Sequence, residues 1–344
     1  MEENAMEQIK VARLNTNKIP AISIIVANYN NDIYLDDCLK SVVTQSFTDW
    51  ECIVVDDGST DGSVNVIKRW AKQDKRIIPV FQKNHGVSHA RNVGINMARG
   101  RWIGFLDSDD CFCADGLKIL YECGEQNNVD VVGGGGVRVP DDFQLNATCS
   151  DNFTSPPFIF LQFNDQDLVK MDYLGETHRM VWVWRRLYRR EIIGNIRFDE
   201  ELYPGEDTCF IYEVLPRAKR IAECKGMVVY HRLSRRSVSA LVSAGTCEQR
   251  LFTWVPPTLR RLRKIMDTFY SETYRRHFYS FYLDFILVTL VIDPLVTGRM
   301  VRVAGEVLGQ VYGTDAMPTK YLKWNKRLLL WMFMKVFGSK KNKQ

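Results

Sequence analysis

The chain has 344 residues, 46% apolar and 25% charged, with a net charge of +5 at neutral pH. That is the composition of an ordinary globular protein, long enough for one large domain with an appendage or for two domains. Nine cysteines without a CxxC pair argue against a disulfide framework or a zinc site. The start MEENAMEQIK lacks the marks of a signal peptide, and the longest apolar run, Phe285 to Ile292, is too short to cross a bilayer. A cytoplasmic location is therefore expected.

The first half of the chain alternates between two periodicities. Ile22 to Ala27 is an apolar, β-branched run that predicts a strand, and Asp32 to Gln45 then carries Leu35, Leu39, Val42 and Val43 at helical spacing. Glu51 to Val55 predicts a second strand, followed after DDGSTDGS by a helix with Val64, Ile67 and Ala71 on one face. A third strand is expected near Ile77 to Phe81, a helix from Val87 that ends at Gly100, a fourth strand over Trp102 to Leu106 and a further one at Val129 to Val132. Such alternation implies an α/β fold with a mostly parallel sheet covered by helices on both faces. Ligands of such sheets bind beyond the carboxyl ends of the strands. The polar clusters NYNN, DDGSTDGS, NHG and DSDD follow the first four strands in turn.

From Gly133 to about Glu176 the pattern dissolves. Gly133 to Gly136 lack the Lys and Ser or Thr of a phosphate loop, so they are expected to form a strand end and flexible connector. Order returns with VWVWRRLYRR, GEDTCF and the strand-like VVYHRL at Val228 to Leu233, and from Thr246 the chain reads as helical. After Pro318 there are eight basic residues and no acid, which leaves the preceding residues at a net −3. The basicity belongs to the tail, so a nucleic-acid partner is not expected.

Two acids spaced as DxD at a strand end, Asp107 and Asp109 in FLDSDD, can share Mg²⁺ or Mn²⁺ with a diphosphate, because these cations prefer hard oxygen ligands. The same stretch also suits a plainer role, with Ser108, Asp109 and Asp110 capping the helix near Ala114. Asp56 and Asp57 end a neighbouring strand, and Arg91 and Asn92 lie in a helix beside them. Acids converging from separate loops repel one another unless a cation and a hydrogen-bonding ligand sit among them.

Taken together, these stretches resemble family 2 of the inverting nucleotide-sugar glycosyltransferases, with the GT-A fold, over Ile22 to about Ser239. The resemblance implies an extension over 1–20 and a GT-A domain over 21–240, with a nucleotide half to about 132 and an acceptor half from 133. A helical region over 246–344 would follow. Family members open with PxYN, here ANYN with Ala27 in place of proline, so Tyr29 is expected to pack on the base. In the family's VDDGS the second acid, here Asp57, bonds the base, which favours uracil. The DxD implies Asp107 on the ribose, with Ser108 beside it, and Asp109 on the metal. Arg91 in ARNxG would support the nucleotide site or pair structurally with Asp57 or Asp107. The family's ED pair corresponds to Glu206 and Asp207, with Glu206 expected on the acceptor or diphosphate side and Asp207 the expected base that removes a proton from the acceptor hydroxyl. Both acids would equally favour a helix N-terminus for electrostatic reasons alone. Trp184 and Arg186 match a tryptophan and a basic residue on the acceptor or diphosphate side. His231 either joins the metal shell or is structural, and Arg232 or Arg235 could reach the diphosphate.

The tail YLKWNKRLLLWMFMKVF carries Trp324, Leu328, Trp331 and Met332 on one helical side with lysines flanking. Such a helix suits an anionic membrane surface, contacted through 318–344, which would make the protein peripheral on the inner face of the cytoplasmic membrane. Packing on the catalytic domain, or on a second subunit in a homo-oligomer, is the alternative. The expected activity is metal-dependent, inverting transfer of a hexosyl or N-acetylhexosaminyl group from a nucleotide diphosphate, with UDP favoured. The acceptor would be a glycan or lipid-linked glycan in cell-surface polysaccharide synthesis. Two rivals are a non-catalytic nucleotide-sugar-binding protein of the same fold and an aspartyl-phosphate-type phosphatase suggested by DDGST.

Overall fold

The computed structural model describes residues 18–145, 158–161, 183–203, 205–234, 255–272 and 275. The tail at 318–344 and Arg235 lie outside the described residues, as does most of the stretch expected to build the acceptor pocket. The described residues fall into two compact units. One lies within Met1–Phe163, Met180–Glu201 and Arg217–Ala240, and the other within Asn164–Arg179, Leu202–Pro216 and Leu241–Gln344.

The first unit is built on one sheet. Its strands are β1 (Ile22–Asn28), β2 (Trp50–Asp57), β3 (Ile77–Gln82), β4 (Trp102–Asp107), β5 (Cys111–Phe112), β6 (Val131–Val139), β7 (Phe158–Leu161), β8 (Arg186–Arg189) and β9 (Arg220–Arg232). The helices are α1 (Asp32–Val43), α2 (Ser63–Gln73), α3 (Val87–Met97), α4 (Gly116–Gln126) and the short α5 (Arg190–Ile193). The spatial order is β3-β2-β1-β4-β8-β6-β9-β5, with β7 also on β9. The sheet is parallel through β3, β2, β1 and β4 and mixed beyond, since β8 runs antiparallel to both β4 and β6.

The continuous apolar runs of β1, β2 and β4 exist because both sheet faces are covered. Ile22, Ile24 and Val26 are buried in one cluster with Leu35, Leu39 and Val42 of α1 and Ile67 of α2. On the alternate positions Ile25 lies against Gly94 of α3, and the Phe105 ring meets Tyr188 and Phe198 edge-on. Each fully buried Ile or Leu contributes about 1.5–3 kcal/mol. At the start of the strands a buried polar knot fixes the return from α3 to β4. Ser23 Oγ donates to Glu51 at 2.7 Å and accepts the Gly100 N–H at 2.8 Å, while Arg99 forks onto Glu51 at 3.1 Å.

Gly133 to Gly136 form part of β6 and are not a connector. β6 pairs with β9 through two register shifts at these glycines, and a methyl group on Gly136 would meet the Trp184 ring at 3.1 Å. The absence of side chains therefore makes room for bulky groups from β8 and β9, which no local sequence signal reveals.

The second unit contains α6 (Glu206–Val214) and α7 (Val255–Phe269). Arg261 of α7 pairs with Glu213 of α6 at 2.7 Å, and the Tyr270 hydroxyl donates to the Tyr212 carbonyl at 2.8 Å. Gly205 starts α6 at φ +115°, beside Thr258. The GEDTCF segment thus groups with α7, on the far side of the boundary expected near 240.

Candidate active site

The carboxyl ends of β1, β2 and β4 lie side by side in register, with Asn28 opposite Asp56 and Ala27 opposite Asp107. Hydrogen bonds then lace the following loops together. Asn28 Nδ2 donates to Asp56 at 2.9 Å, the Asn30 and Ser59 N–H groups bond Ser59 Oγ and Asp56 at 2.9 and 3.1 Å, and Asp61 accepts the Asp32 N–H at 3.0 Å. Asn31 Nδ2 donates to Ser108 Oγ at 2.9 Å, which ties this pair of loops to DSDD. Tyr29, half exposed at 51%, stands just beyond β1 with its ring open to a planar partner, and Ala27 is half-buried behind it.

Asp57 is buried, and its carboxylate accepts Gln82 Nε2 at 2.7 Å and the N–H groups of His85 and Gly86 at 2.9 and 2.8 Å. It shapes the NHG turn, where Gly86 adopts φ +93°. About one lone-pair position of roughly four is left for the contact with a base expected of it. Arg91 is buried in α3 and donates to Asp107 Oδ1 at 2.9 Å, so of its two expected partners it takes Asp107.

The remaining acids are crowded. Asp109 is half-buried, and its pKa is pushed up to about 8, first by burial and then by the charges of Asp110 and Asp107. Asp110 is fully buried and raised to about 6 by burial, although the His231 hydrogen bond and charge pull the other way. His231 Nδ1 lies 3.1 Å from Asp110, and its ring stacks on Trp184 at 4.8 Å and 14°. Burial opposes charging of this imidazole, yet the hydrogen bond and charge of Asp110 outweigh it and raise the pKa. The Nδ1 edge of His231 is thus committed to Asp110, a residue expected only to cap a helix.

Two expectations need correction. Arg186, expected on the acceptor or diphosphate side, has a side chain with no exposed surface and pairs with buried Glu223 across the sheet, so it joins β8 to β9. Arg232 is equally committed. Its guanidinium donates to the carbonyls of Asp109 at 3.1 Å, Asp141 at 2.9 Å and Phe143 at 2.5 Å, pairs with Asp37 at 3.3 Å, and lies over the Tyr34 and Phe143 rings. Its own N–H bonds Asp110 at 2.9 Å. Arg232 is thus a clamp on DSDD. In the second unit, Glu206 is buried and accepts the Gly205 N–H at 3.0 Å, and Asp207 follows in the first turn of α6, half-buried.

The donor set suits a hard divalent cation. Burial and like charge raise the Asp109 pKa, and a bound cation is the group that would favour its ionised form. Among the described residues no group of three or more His, Cys, Asp or Glu side chains could hold a metal alone. In Mg²⁺-type sites one or two carboxylates are completed by substrate phosphates.

A parallel half-sheet with a polar cleft at its carboxyl edge, extended by mixed strands, defines a GT-A-type nucleotide-sugar fold. The glycosyl transferase family 2 model matches residues 23–197, and the chain belongs to that family. It is 35% identical over 223 residues to a Bacillus subtilis protein described as the uncharacterized glycosyltransferase EpsJ, covering 62% of this chain and 61% of that one. The chain thus spans less than two thirds of that relative's length. Among solved structures, Staphylococcus aureus TarS 1-349 in complex with UDP-GlcNAc superposes with a TM-score of 0.70 at 21% identity, covering 91% of this chain and 87% of that one. The mannosyltransferase PcManGT from Pyrobaculum calidifontis, in complex with GDP-Man and Mn²⁺, gives 0.51 at 14% identity, with 99% and 96% covered. The shared fold is GT-A.

Proposed function

We propose that the chain is a metal-dependent inverting glycosyltransferase that moves a sugar from a UDP-sugar to a glycan or lipid-linked glycan acceptor. The observation that carries the proposal is the carboxylate crowding at the end of β4, where Asp109 rises to about 8 beside Asp107 and Asp110. Burying that much like charge is unfavourable unless a cation and a phosphate-bearing ligand offset it. The UDP-GlcNAc bound by TarS supports UDP as the carrier, and the Mn²⁺ in PcManGT supports a divalent cation.

Asp109 would hold Mn²⁺ or Mg²⁺, which when bound offsets charge growing on the departing diphosphate. Asp107, fixed by Arg91, would accept from the ribose, and the Tyr29 ring would cover the base. Asp207 would take the proton of the acceptor hydroxyl as its oxygen bonds the anomeric carbon and the bond to the diphosphate breaks. Attack opposite the leaving group inverts that carbon. His231 lies beside the acids as a positioned imidazole, held by Asp110 and Trp184.

The test is an incubation with UDP-GlcNAc or UDP-hexoses, Mn²⁺ and membrane-extracted glycolipids, followed by NMR of the anomeric proton. An inverted glycoside with stoichiometric UDP is expected. UDP-sugar binding without turnover across donors and acceptors would favour a non-catalytic binding protein, and rapid hydrolysis of an aryl phosphate would favour a phosphatase. Among the described residues no helix is long and apolar enough to cross a membrane. Flotation of the full chain beside a truncation at Pro318 tests whether 318–344 binds anionic membrane.

A further inference from the structure

A polar cavity of about 560 Å³ opens at the start of β4, the end away from Asp107. Arg101 directly precedes the strand and lines the cavity, whereas Asp107 ends the strand. Six residues of strand separate the two ends by roughly 17–20 Å, so this cavity is not the donor cleft. Its floor is apolar, formed by buried Ile95, Ile103 and Ile193, and its walls carry Arg101, Arg189, Arg190 and Arg197 with Asn96 and Glu191.

The guanidinium groups outnumber the acids that could neutralise them. Arg189 pairs with Glu125 at 2.9 Å and lies over the Trp102 ring at 4.2 Å. Arg101 donates to the Tyr121 hydroxyl at 2.7 Å, a neutral partner. Among the described residues Arg197 is held by neutral acceptors: Asn96 Oδ1 takes its Nε and Nη2 at 2.9 and 2.6 Å, and the Gly194 and Ile196 carbonyls take Nη1 at 2.9 and 2.7 Å. Burial lowers the pKa of Arg197. The same bonds commit Asn96 Oδ1 to Arg197 and leave its amide N–H groups as donors. Arg190 is exposed and has no ion-pair partner among the described residues. Among the described residues, with Glu125 and Glu191 set against four arginines, two positive charges remain.

A surplus of two charges matches a phosphate monoester, which carries about −1.5 to −2 at neutral pH and offers three acceptor oxygens. Planar guanidinium forks are the side chains best suited to such oxygens, and the volume lies within the usual range for small-ligand cavities of roughly 300–1,000 Å³. We propose that this cavity is a phosphate-monoester site, filled either by a soluble phosphate compound or by the headgroup of a phosphomonoester lipid. The site is independent of the glycosyltransferase reading, and the failure of one leaves the other standing.

The test compares full-length wild type with Arg101→Gln/Arg190→Gln, two exposed positions outside the donor cleft. Inorganic phosphate is titrated calorimetrically in EDTA, and sedimentation is measured with phosphatidylcholine vesicles with and without phosphatidic acid. Asp109→Asn serves as the control for phosphate in the donor site. A soluble source predicts phosphate binding that Asp109→Asn retains and the double variant weakens by about ten-fold or more. A lipid source predicts that only the co-sedimentation with phosphatidic acid falls by that factor. If the double variant melts below wild type, the single Arg190→Gln is read in its place. Equal behaviour of wild type and variant in both assays overturns the proposal.

Discussion

Arg232→Met tests the link between DSDD and the rest of the cleft. The wild-type guanidinium satisfies three carbonyls and the Asp37 carboxylate from a position only 3% exposed. Methionine keeps much of the volume and removes every donor. Each of the three carbonyls left without its partner costs about 1–3 kcal/mol; their bonds are only part-buried, and Asp37 is one-third exposed and recovers water, so the total lies at the lower end, about 3–5 kcal/mol. For a unit of this size each kcal/mol shifts the melting temperature by about 2–4 °C, so a fall of about 6–20 °C is expected in calorimetry. Arg232→Lys separates stability from function. It keeps the charge but offers its donors from one point, and it cannot span Asp109, Asp141 and Asp37 together. With the Asp109 backbone released, Mn²⁺-dependent UDP binding should weaken by about ten-fold while metal-independent binding stays the same. An Arg232→Lys protein that melts like wild type and binds UDP with Mn²⁺ equally well would refute the clamp.

Other outcomes follow from single groups. Asp207→Asn should retain UDP binding and lose about 10²–10⁴-fold in transfer rate, read by UDP release; retained turnover would remove Asp207 as the base. Asp57→Ala strips the acceptor from Gln82, His85 and Gly86, so it should lower stability by about 1–3 kcal/mol and weaken UDP even without metal, which titration in EDTA checks. Asp74 is held below its usual value of 3.8, chiefly by its hydrogen bond from Arg76, against opposition from burial. Its contribution to stability is therefore fully present above about 3.8 and fades as pH falls through the lower folded value. Denaturation of Asp74→Asn should differ from wild type at neutral pH and converge with it in strong acid; a constant difference would contradict the assignment.

The parallel half of the sheet was legible because its strands are buried on both faces and punctuated by polar loops. β1, β2, β3 and β4 stand where the apolar runs place them, and NYNN, DDGST and DSDD meet at one edge because parallel strands bring their carboxyl ends together. What was not legible depends on partners distant in sequence. The glycines of β6 are explained by the Trp184 ring and the Arg186–Glu223 pair, more than 40 residues later. Arg186 looked like a residue of the acceptor or diphosphate side because its charge is visible in the sequence and its burial beside Glu223 is not. Asp110 looked like a helix cap, but its partners, His231 and the Arg232 N–H, arrive from β9. The separate grouping of α6 with α7 rests on Arg261–Glu213 and Tyr270–Tyr212, contacts without any local signal at GEDTCF.

Calorimetric titration of UDP into wild type and Asp109→Asn, each with Mn²⁺ and with EDTA, addresses the central claim most directly. Tight binding in wild type should depend on Mn²⁺, and the substitution should abolish that dependence while leaving the weaker metal-free binding intact. Identical isotherms in all four conditions, or no UDP binding by wild type with Mn²⁺, would contradict a cation-assisted UDP-sugar site at the end of β4.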